Sequence, residues 1–394
     1  MKIIVPEVIM EIIRSTESNI SFPIGPLALI GMRGFEKFTK DVNDWIVKLR
    51  LESMGVSDSN FIVNAETKRF ANGEGKGIIN ETVRGRDLFI LCDVGNYNET
   101  YDMMGFQNHM SPDDHFQDLK RIISAADGKA KRINIIMPLL YNGRQHKRMV
   151  RESLDCAEAL RELSNYDVAN IITFDAHDVR VQNAIPHVGF ENGVAYYQFL
   201  KSLLQKEKDI KFDHDNMMIV SPDEGAVHRN LFYASIFKLD LGVFYKVRDY
   251  SKLVNGRNPI VAHEFIGGDV EGKDIIVIDD ILSSGESILD IAKELKKRKA
   301  KRVFFMVTYA LFTGGVEVFD EYYSQGLLDG VYATNLTYLR PELETREWFN
   351  KVDMTKYVAK IIDDLNYNES LSGLISPSER VIALYEKVKN GEPI

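Results

Sequence analysis

The chain has 394 residues, 45% hydrophobic and 27% charged, with a net charge of −9. That length allows substantial cores and, as a prior, two domains, and the acidic balance argues against a nucleic-acid partner. Two distant cysteines, Cys92 and Cys156, give no disulfide framework and no zinc spacing, which fits a reducing cytoplasm. No apolar run reaches the roughly 18 residues of a membrane span. The N-terminus carries Glu7 and Glu11 in its apolar start and lacks a signal-peptide pattern, so a soluble cytoplasmic protein is expected.

Residues 1–24 read as an extension, with Val8, Ile9, Ile12 and Ile13 on one face of a short helix. A strand at 27–30 and an amphipathic helix at 35–49 follow. Strands are expected at 61–65 and 87–92. Residues 100–115 are polar and Met-rich and read as a loop or insertion, with His109 and His115 at its surface. A helix at 116–126, a strand at 133–138, a basic loop at 143–151, a helix at 153–163 and a strand at 169–174 complete the first round.

A second round runs through a helix at 194–204, a strand at 217–220, a helix at 231–237 and strands at 241–246 and 275–278. It ends with a strand at 303–309, a helix at 316–324 and a strand at 330–334. Helices at 352–365 and 378–389 close the chain, the last expected to be peripheral. This alternation, with polar loops at strand C-terminal ends, predicts an α/β protein of two similar doubly wound, mostly parallel sheets. The expected division is 1–24, 25–190, 191–350 and 351–394.

The chain is organised around residues 275–287, I-I-V-I-D-D-I-L-S-S-G-E-S. Four apolar β-formers precede two carboxylates, Asp279 and Asp280, at the expected strand end. Ser283, Ser284, Gly285 and Ser287 then lead into a helix. Such a loop can cradle a phosphate on its N–H groups and the helix dipole. The carboxylates suit ribose hydroxyls or a hydrated Mg²⁺. An ordinary strand-to-helix turn with a serine cap is the bland alternative. The stretch resembles the phosphoribosyl-pyrophosphate (PRPP) motif shared by phosphoribosyltransferases and PRPP synthetases.

Four other loops narrow the reading. The loop at 138–151 carries Arg144, Gln145, His146, Lys147, Arg148 and Arg151, a set suited to polyphosphate. Asp175-Ala176-His177 ends a strand, where the histidine can meet a metal or a phosphate. Ser221-Pro222-Asp223-Glu224-Gly225-Ala226 can hold Mg²⁺ or set backbone N–H groups near a diphosphate. Lys246 and Arg248, two apart on a strand, share one side and can clamp a phosphoryl centre. No nucleophile–base pair of the Ser/His or Cys/His kind accompanies them, and the inventory is that of phosphoryl transfer.

From about residue 27 to 375 the sequence resembles the ribose-phosphate pyrophosphokinases, the PRPP synthetases. Their F-x-D-G-E loop matches Phe70-Ala71-Asn72-Gly73-Glu74, and N-E-x-V-R-G-x-D matches residues 80–87. Y-x-R-Q-D-R-K matches residues 141–148 in part, D-L-H matches Asp175-Ala176-His177, and S-P-D-x-G-G matches residues 221–226. K-R-R matches Lys246-Val247-Arg248, and the ribose-5-phosphate loop matches residues 279–287. Asn72, His146, Ala226, Val247 and the serines of the last loop depart from the family residues.

The resemblance implies that Phe70, Asn72 and Glu74 meet the adenine of a neighbouring subunit, and that Arg144, Gln145 and His177 bind ATP. It implies Mg²⁺ on His177 and Asp223, and transition-state cations at Lys246 and Arg248. Asp279 and Asp280 would hold ribose hydroxyls, and Ser283, Ser284, Gly285 and Ser287 the 5-phosphate. The implied reaction forms PRPP and AMP from ATP and ribose 5-phosphate in a homodimer or homohexamer. A non-catalytic regulatory paralogue is the alternative. A nucleobase phosphoribosyltransferase would leave the first domain's ATP loops unexplained.

Overall fold

The computed structural model describes residues 22–55, 60–248 and 260–392. The helix expected around residues 8–13 lies outside them. In chain order the first half runs β1 (Leu27–Gly31), a hairpin of β2 (Ala65–Arg69) and β3 (Gly75–Ile79), and β4 (Asp87–Leu91). A second hairpin, β5 (Thr100–Met103) with β6 (Phe106–His109), precedes β7 (Arg132–Ile136), β8 (Asn170–Phe174) and β9 (Gly189–Gly193). β1, β4, β7, β8 and β9 lie side by side in that order, all parallel.

Alternation explains why this sheet is covered on both faces. Leu27 and Leu29 of β1 join Phe38, Val42 and Ile46 of the Glu36–Met54 helix. Ala28 and Ile30 face the other way, toward Leu119, Ile122 and Ile123 of the Pro112–Ala126 helix.

The second sheet is built from β10 (Met217–Ser221), β11 (Leu241–Arg248), β12 (Ile260–Ile266), β13 (Asp274–Leu282), β14 (Arg302–Ala310), β15 (Gly330–Thr334) and β16 (Phe349–Val352). Its order is β12-β11-β10-β13-β14-β15-β16, parallel except for the β11/β12 pair. The protein is thus the doubly wound, mostly parallel α/β type that the alternation predicted. From β10 the chain winds outward to β11 and β12, then returns to β13 on the other side. The crevice at such a reversal, at the carboxyl ends of the strands, is where open α/β sheets bind ligands. Asn230, fully buried, holds this crevice: its side chain donates to Ile278 O (2.8 Å) and accepts from Ile278 N (3.1 Å).

The carboxyl ends of the two sheets meet. Tyr309, at the end of β14, donates to the carbonyls of Pro138 and Phe174 in the first half. Asp93, after β4, accepts from Thr337 Oγ1 (2.9 Å) and Tyr338 N (2.8 Å) after β15. The Thr355–Asn366 helix returns to the first half, where Arg50 bonds Asp363 (2.8 Å) and Asn366 (2.9 Å). Asn366 also donates to the buried Asp87 (2.9 Å), which Arg132 grips with two nitrogens.

Several expectations need correction. The strand expected at 61–65 is split: Ile62 makes an isolated parallel bridge to Leu29, and the strand proper, β2, begins at Ala65. Residues 100–109 form the β5–β6 hairpin rather than a loop, and 112–115 open a helix capped by Ser111. His115 is consequently 2% exposed and bonds Asn96 O (2.7 Å); only His109 lies at the surface. Asp279 and Asp280 sit inside β13 rather than beyond it, because β14 runs alongside as far as Leu282. The Ser378–Lys389 helix is not peripheral: Val381 and Leu384 are buried in the core that contains Phe199 and Leu203. The expected division at 190/191 falls inside β9.

Candidate active site

Where the two carboxyl edges meet, a cavity of about 220 Å³ is lined by the loops that follow β7 and β8 and by the carboxyl-end residues Asp280 and Ile281 of β13. Arg144, Gln145, His177 and Asp280 share its wall. Of the residues expected to bind ATP, three therefore converge with one of the ribose-side carboxylates. The joining contact is direct: His177 Nδ1 lies 2.6 Å from Asp280 Oδ2.

Behind that contact is a buried network that motif reading missed. Arg229 Nε donates to Asp175 Oδ1 (2.7 Å), and its Nη2 lies 3.2 Å from Asp280 Oδ2. Thr308 Oγ1 donates to the other oxygen of Asp175 (2.8 Å). Asp175 has a φ of +45°, the left-handed region that non-glycine residues enter only when held. Here its N–H is fixed to Gly193 O (2.8 Å) while both carboxylate oxygens are bonded. One arginine thus locks the β8 loop to the Asp280 carboxylate of β13.

The acidic pair is electrically split. Burial works against charge on Asp280, but the His177 hydrogen bond and the Arg229 guanidinium outweigh it and hold that carboxyl well below the usual range. Burial, the Asp280 charge and, more weakly, the Asp223 charge push Asp279 well above it. A raised folded-state pKa leaves stability intact below the unfolded value near pH 4. Stability then declines as pH rises toward the folded pKa. Asp279→Asn removes that decline. Its melting temperature should approach wild type near pH 4 and exceed it increasingly up to pH 8. The same variant should weaken the ribose 5-phosphate binding that the resemblance implies for Asp279 by about tenfold, through lost hydrogen bonds to hydroxyls. Coincident melting curves across that pH range would remove the split.

The loop at 283–287 is shaped by Gly285, whose φ is +96°. A Cβ there would stand 2.4 Å from Cζ of the fully buried Phe319. Ser283 O is meanwhile tied to Thr313 N (2.9 Å). The Glu286–Lys297 helix starts immediately after, and the first N–H groups of a helix lack intrahelical acceptors. Gly285→Ala should therefore lower stability by about 1–3 kcal/mol and weaken the ribose 5-phosphate binding that the resemblance implies for this loop. Thermal melting and isothermal titration check both; wild-type values would show that the loop can shift.

The remaining expected residues lie apart from the cavity. Phe70, Asn72 and Glu74 occupy the tip of the β2–β3 hairpin, where Phe70 is 54% exposed and Asn72 Nδ2 donates to Glu74 (2.9 Å). Asp223 lies early in the loop that follows β10 and accepts from Ala226 N (3.1 Å). Lys246 and Arg248 lie on β11, opposite His263 and Ile260 of β12. His146, where the resemblance has aspartate, packs 5.2 Å from the His177 ring, with Nε2 3.6 Å from Asp178. Burial lowers its pKa.

The profile of the N-terminal domain of ribose phosphate pyrophosphokinase matches residues 35–166, and that of the phosphoribosyl transferase domain matches residues 190–323. This chain belongs to the ribose-phosphate pyrophosphokinase family. It is 28% identical to a ribose-phosphate pyrophosphokinase of Vibrio parahaemolyticus over 318 residues, 79% of this chain and 91% of that protein. It is 26% identical to one from Wolinella succinogenes over 87% of this chain and 99% of the relative. Phosphoribosylpyrophosphate synthetase from Mycobacterium smegmatis shares the fold, with a TM-score of 0.68 and 20% identity over 87% of this chain and 99% of that one. No helix among the described residues is long and apolar enough to cross a membrane.

Proposed function

We propose that this chain transfers the β,γ-diphosphoryl group of ATP to the C1 hydroxyl of ribose 5-phosphate, giving PRPP and AMP. The observation that carries the reading is the 2.6 Å contact of His177 with Asp280. It joins the loops assigned to the nucleotide with the strand assigned to the sugar, so both substrates are offered to one cleft. The bond between the C1 oxygen and the β-phosphorus forms as the C1 hydroxyl loses its proton to solvent, the α–β anhydride bond breaks, and AMP leaves with its electron pair. Positioning and charge neutralisation supply most of the acceleration in such transfers.

Asp279 and Asp280 would hold the ribose hydroxyls, and the 283–287 loop with the helix start would hold the 5-phosphate. Arg144 and Gln145 would bind the ATP phosphates, and Lys246 and Arg248 would meet the charge that develops on the transferring group. Phe70, Asn72 and Glu74 would meet the adenine of a neighbouring protomer in a homodimer or homohexamer. An apolar ring held outward at a hairpin tip supports that arrangement.

The donor set suits Mg²⁺. His177 and Asp223 would hold it, and among the described residues no cluster of three or more His, Cys, Asp or Glu forms an all-protein cage. Mg²⁺ commonly keeps several waters and completes its shell with substrate phosphates, so one carboxylate and one imidazole are enough to place it. Bound there, Mg²⁺ would offset charge on the phosphates. Incubating the purified chain with ATP, Mg²⁺ and ribose 5-phosphate should release AMP and PRPP in equal amounts. Binding of both substrates without any AMP would overturn this reading in favour of the regulatory paralogue.

A further inference from the structure

A second cleft, of about 740 Å³, opens among the Glu36–Met54, Tyr196–Lys206, Thr355–Asn366 and Ser378–Lys389 helices. It shares no lining residue with the site cavity. Its wall carries six cations, Lys201, Lys351, Lys356, Lys360, Arg380 and Lys387, and a single acid, Asp353. In a chain of net charge −9 this is a local reversal of sign. Lys351 and Lys360 are paired with Glu344 and Asp364. Asp353 already accepts from Asn335 and Thr355. Among the described residues the other four cations have no carboxylate partner.

Two polar atoms of the lining are buried without a hydrogen-bond partner among the described residues: Gln198 Oε1 and Arg380 Nε. The Arg380 guanidinium lies over two rings, 5.5 Å from the centroid of Tyr197 and 5.7 Å from that of Tyr357. Its Nη2 is anchored to Leu374 O. A stacked guanidinium with an unspent donor is preorganised for an anion, because little side-chain freedom remains to be lost on binding. A solvated lysine-rich face accounts for the lysines taken singly. It does not account for a concave arrangement of like charges, which repel unless an anion sits among them.

We propose that this cleft binds a small polyanion carrying two or more phosphate groups. The volume falls within the roughly 300–1,000 Å³ typical of small-molecule sites. Arg380 and Lys387 lie beyond residue 375, where the family resemblance ends, so the cleft is a feature of this chain's C-terminal helix.

Inorganic tripolyphosphate is the probe, titrated calorimetrically into the full chain and into Lys356→Glu/Lys387→Glu. Both positions are exposed, so core packing is untouched. The variant should lose one binding equivalent per chain relative to wild type, a loss of at least about tenfold in affinity at that site. Lys293→Glu, exposed on the Glu286–Lys297 helix, should bind like wild type. Unchanged stoichiometry and affinity in the double variant would overturn the proposal. So would capture of a Glu-rich peptide, but not tripolyphosphate, in the same cleft, which would indicate an acidic protein partner. The readout is binding, so the outcome does not depend on whether the chain turns over ATP.

Discussion

Lys246→Ala should lower kcat for PRPP formation by about 10³-fold, with much smaller changes in the KM values for ATP and ribose 5-phosphate. The expectation rests on where the backbone of β11 runs. β10 ends at Ser221, which pairs with Val243 of β11. β11 continues to Arg248, paired with the returning β12, so Lys246 lies three residues past the end of its parallel neighbour. At about 3.3 Å per residue that is an overhang of roughly 10 Å. It extends from the carboxyl edge of the sheet, the edge that bears Asp223, Asp279 and Asp280. The ladder shifts register between Val247 and Arg248, a local irregularity of the kind that re-aims a strand. The packing of this strand is carried by Phe244, 1% exposed, so the variant should melt like wild type. A positive charge that acts only on the transition state raises kcat without strengthening ground-state binding. A proportional rise in KM with kcat preserved would instead make Lys246 a substrate-binding residue. Retained kcat and KM would remove it from the site.

How much of this was legible in the sequence depended on whether the signal was local. β13 was legible because Ile275 and Val277 serve one core while Ile276 and Ile278 serve another, which demands an uninterrupted apolar run. Its end was not legible, because two carboxylates resemble a strand terminus unless the reach of β14 is known. The start of the helix before Phe116 carries a readable sign, although its polar surroundings read as a loop. Ser111, Pro112 and Asp114 form a capping box with proline in the first turn, in which Ser111 Oγ and Asp114 exchange hydrogen bonds. The β5–β6 hairpin turns at Met104 and Gly105, both with positive φ. That turn prefers Asn or Asp at its first position, so methionine concealed it. Arg229 was missed, although it breaks a local rule. It is a cation in the first turn of the Val227–Phe237 helix, against the dipole. Such conflicts mark sites where another charge decides the residue. The charges that decide it, Asp175 and Asp280, are 54 and 51 positions away, and no periodicity reaches that far.

Arg229→Leu should therefore be the most damaging single change within the folded core. The guanidinium is 7% exposed and contacts carboxylates on both sides of the interface between the sheets. Removing one partner of a buried ion pair costs about 3–5 kcal/mol, because the remaining charge stays desolvated. In this case two carboxylates are left, each in the field of the other, and Asp175 already resists ionisation through burial and the nearby Asp280 charge. The relief available is protonation. The stability deficit of the variant should thus shrink as pH falls from 7 toward 5, where a carboxyl with a raised pKa takes up its proton. Turnover should not return with stability, since Asp280 would still lack the guanidinium that fixes it beside His177. Urea unfolding of both chains at pH 5 and 7, with AMP release measured at each pH, separates these effects. Adding Asp175→Asn to Arg229→Leu should recover part of the lost stability by removing one stranded charge, again without recovering turnover. If the double variant is no more stable than Arg229→Leu, the network is held by packing around Thr308 and Tyr309 rather than by its charges.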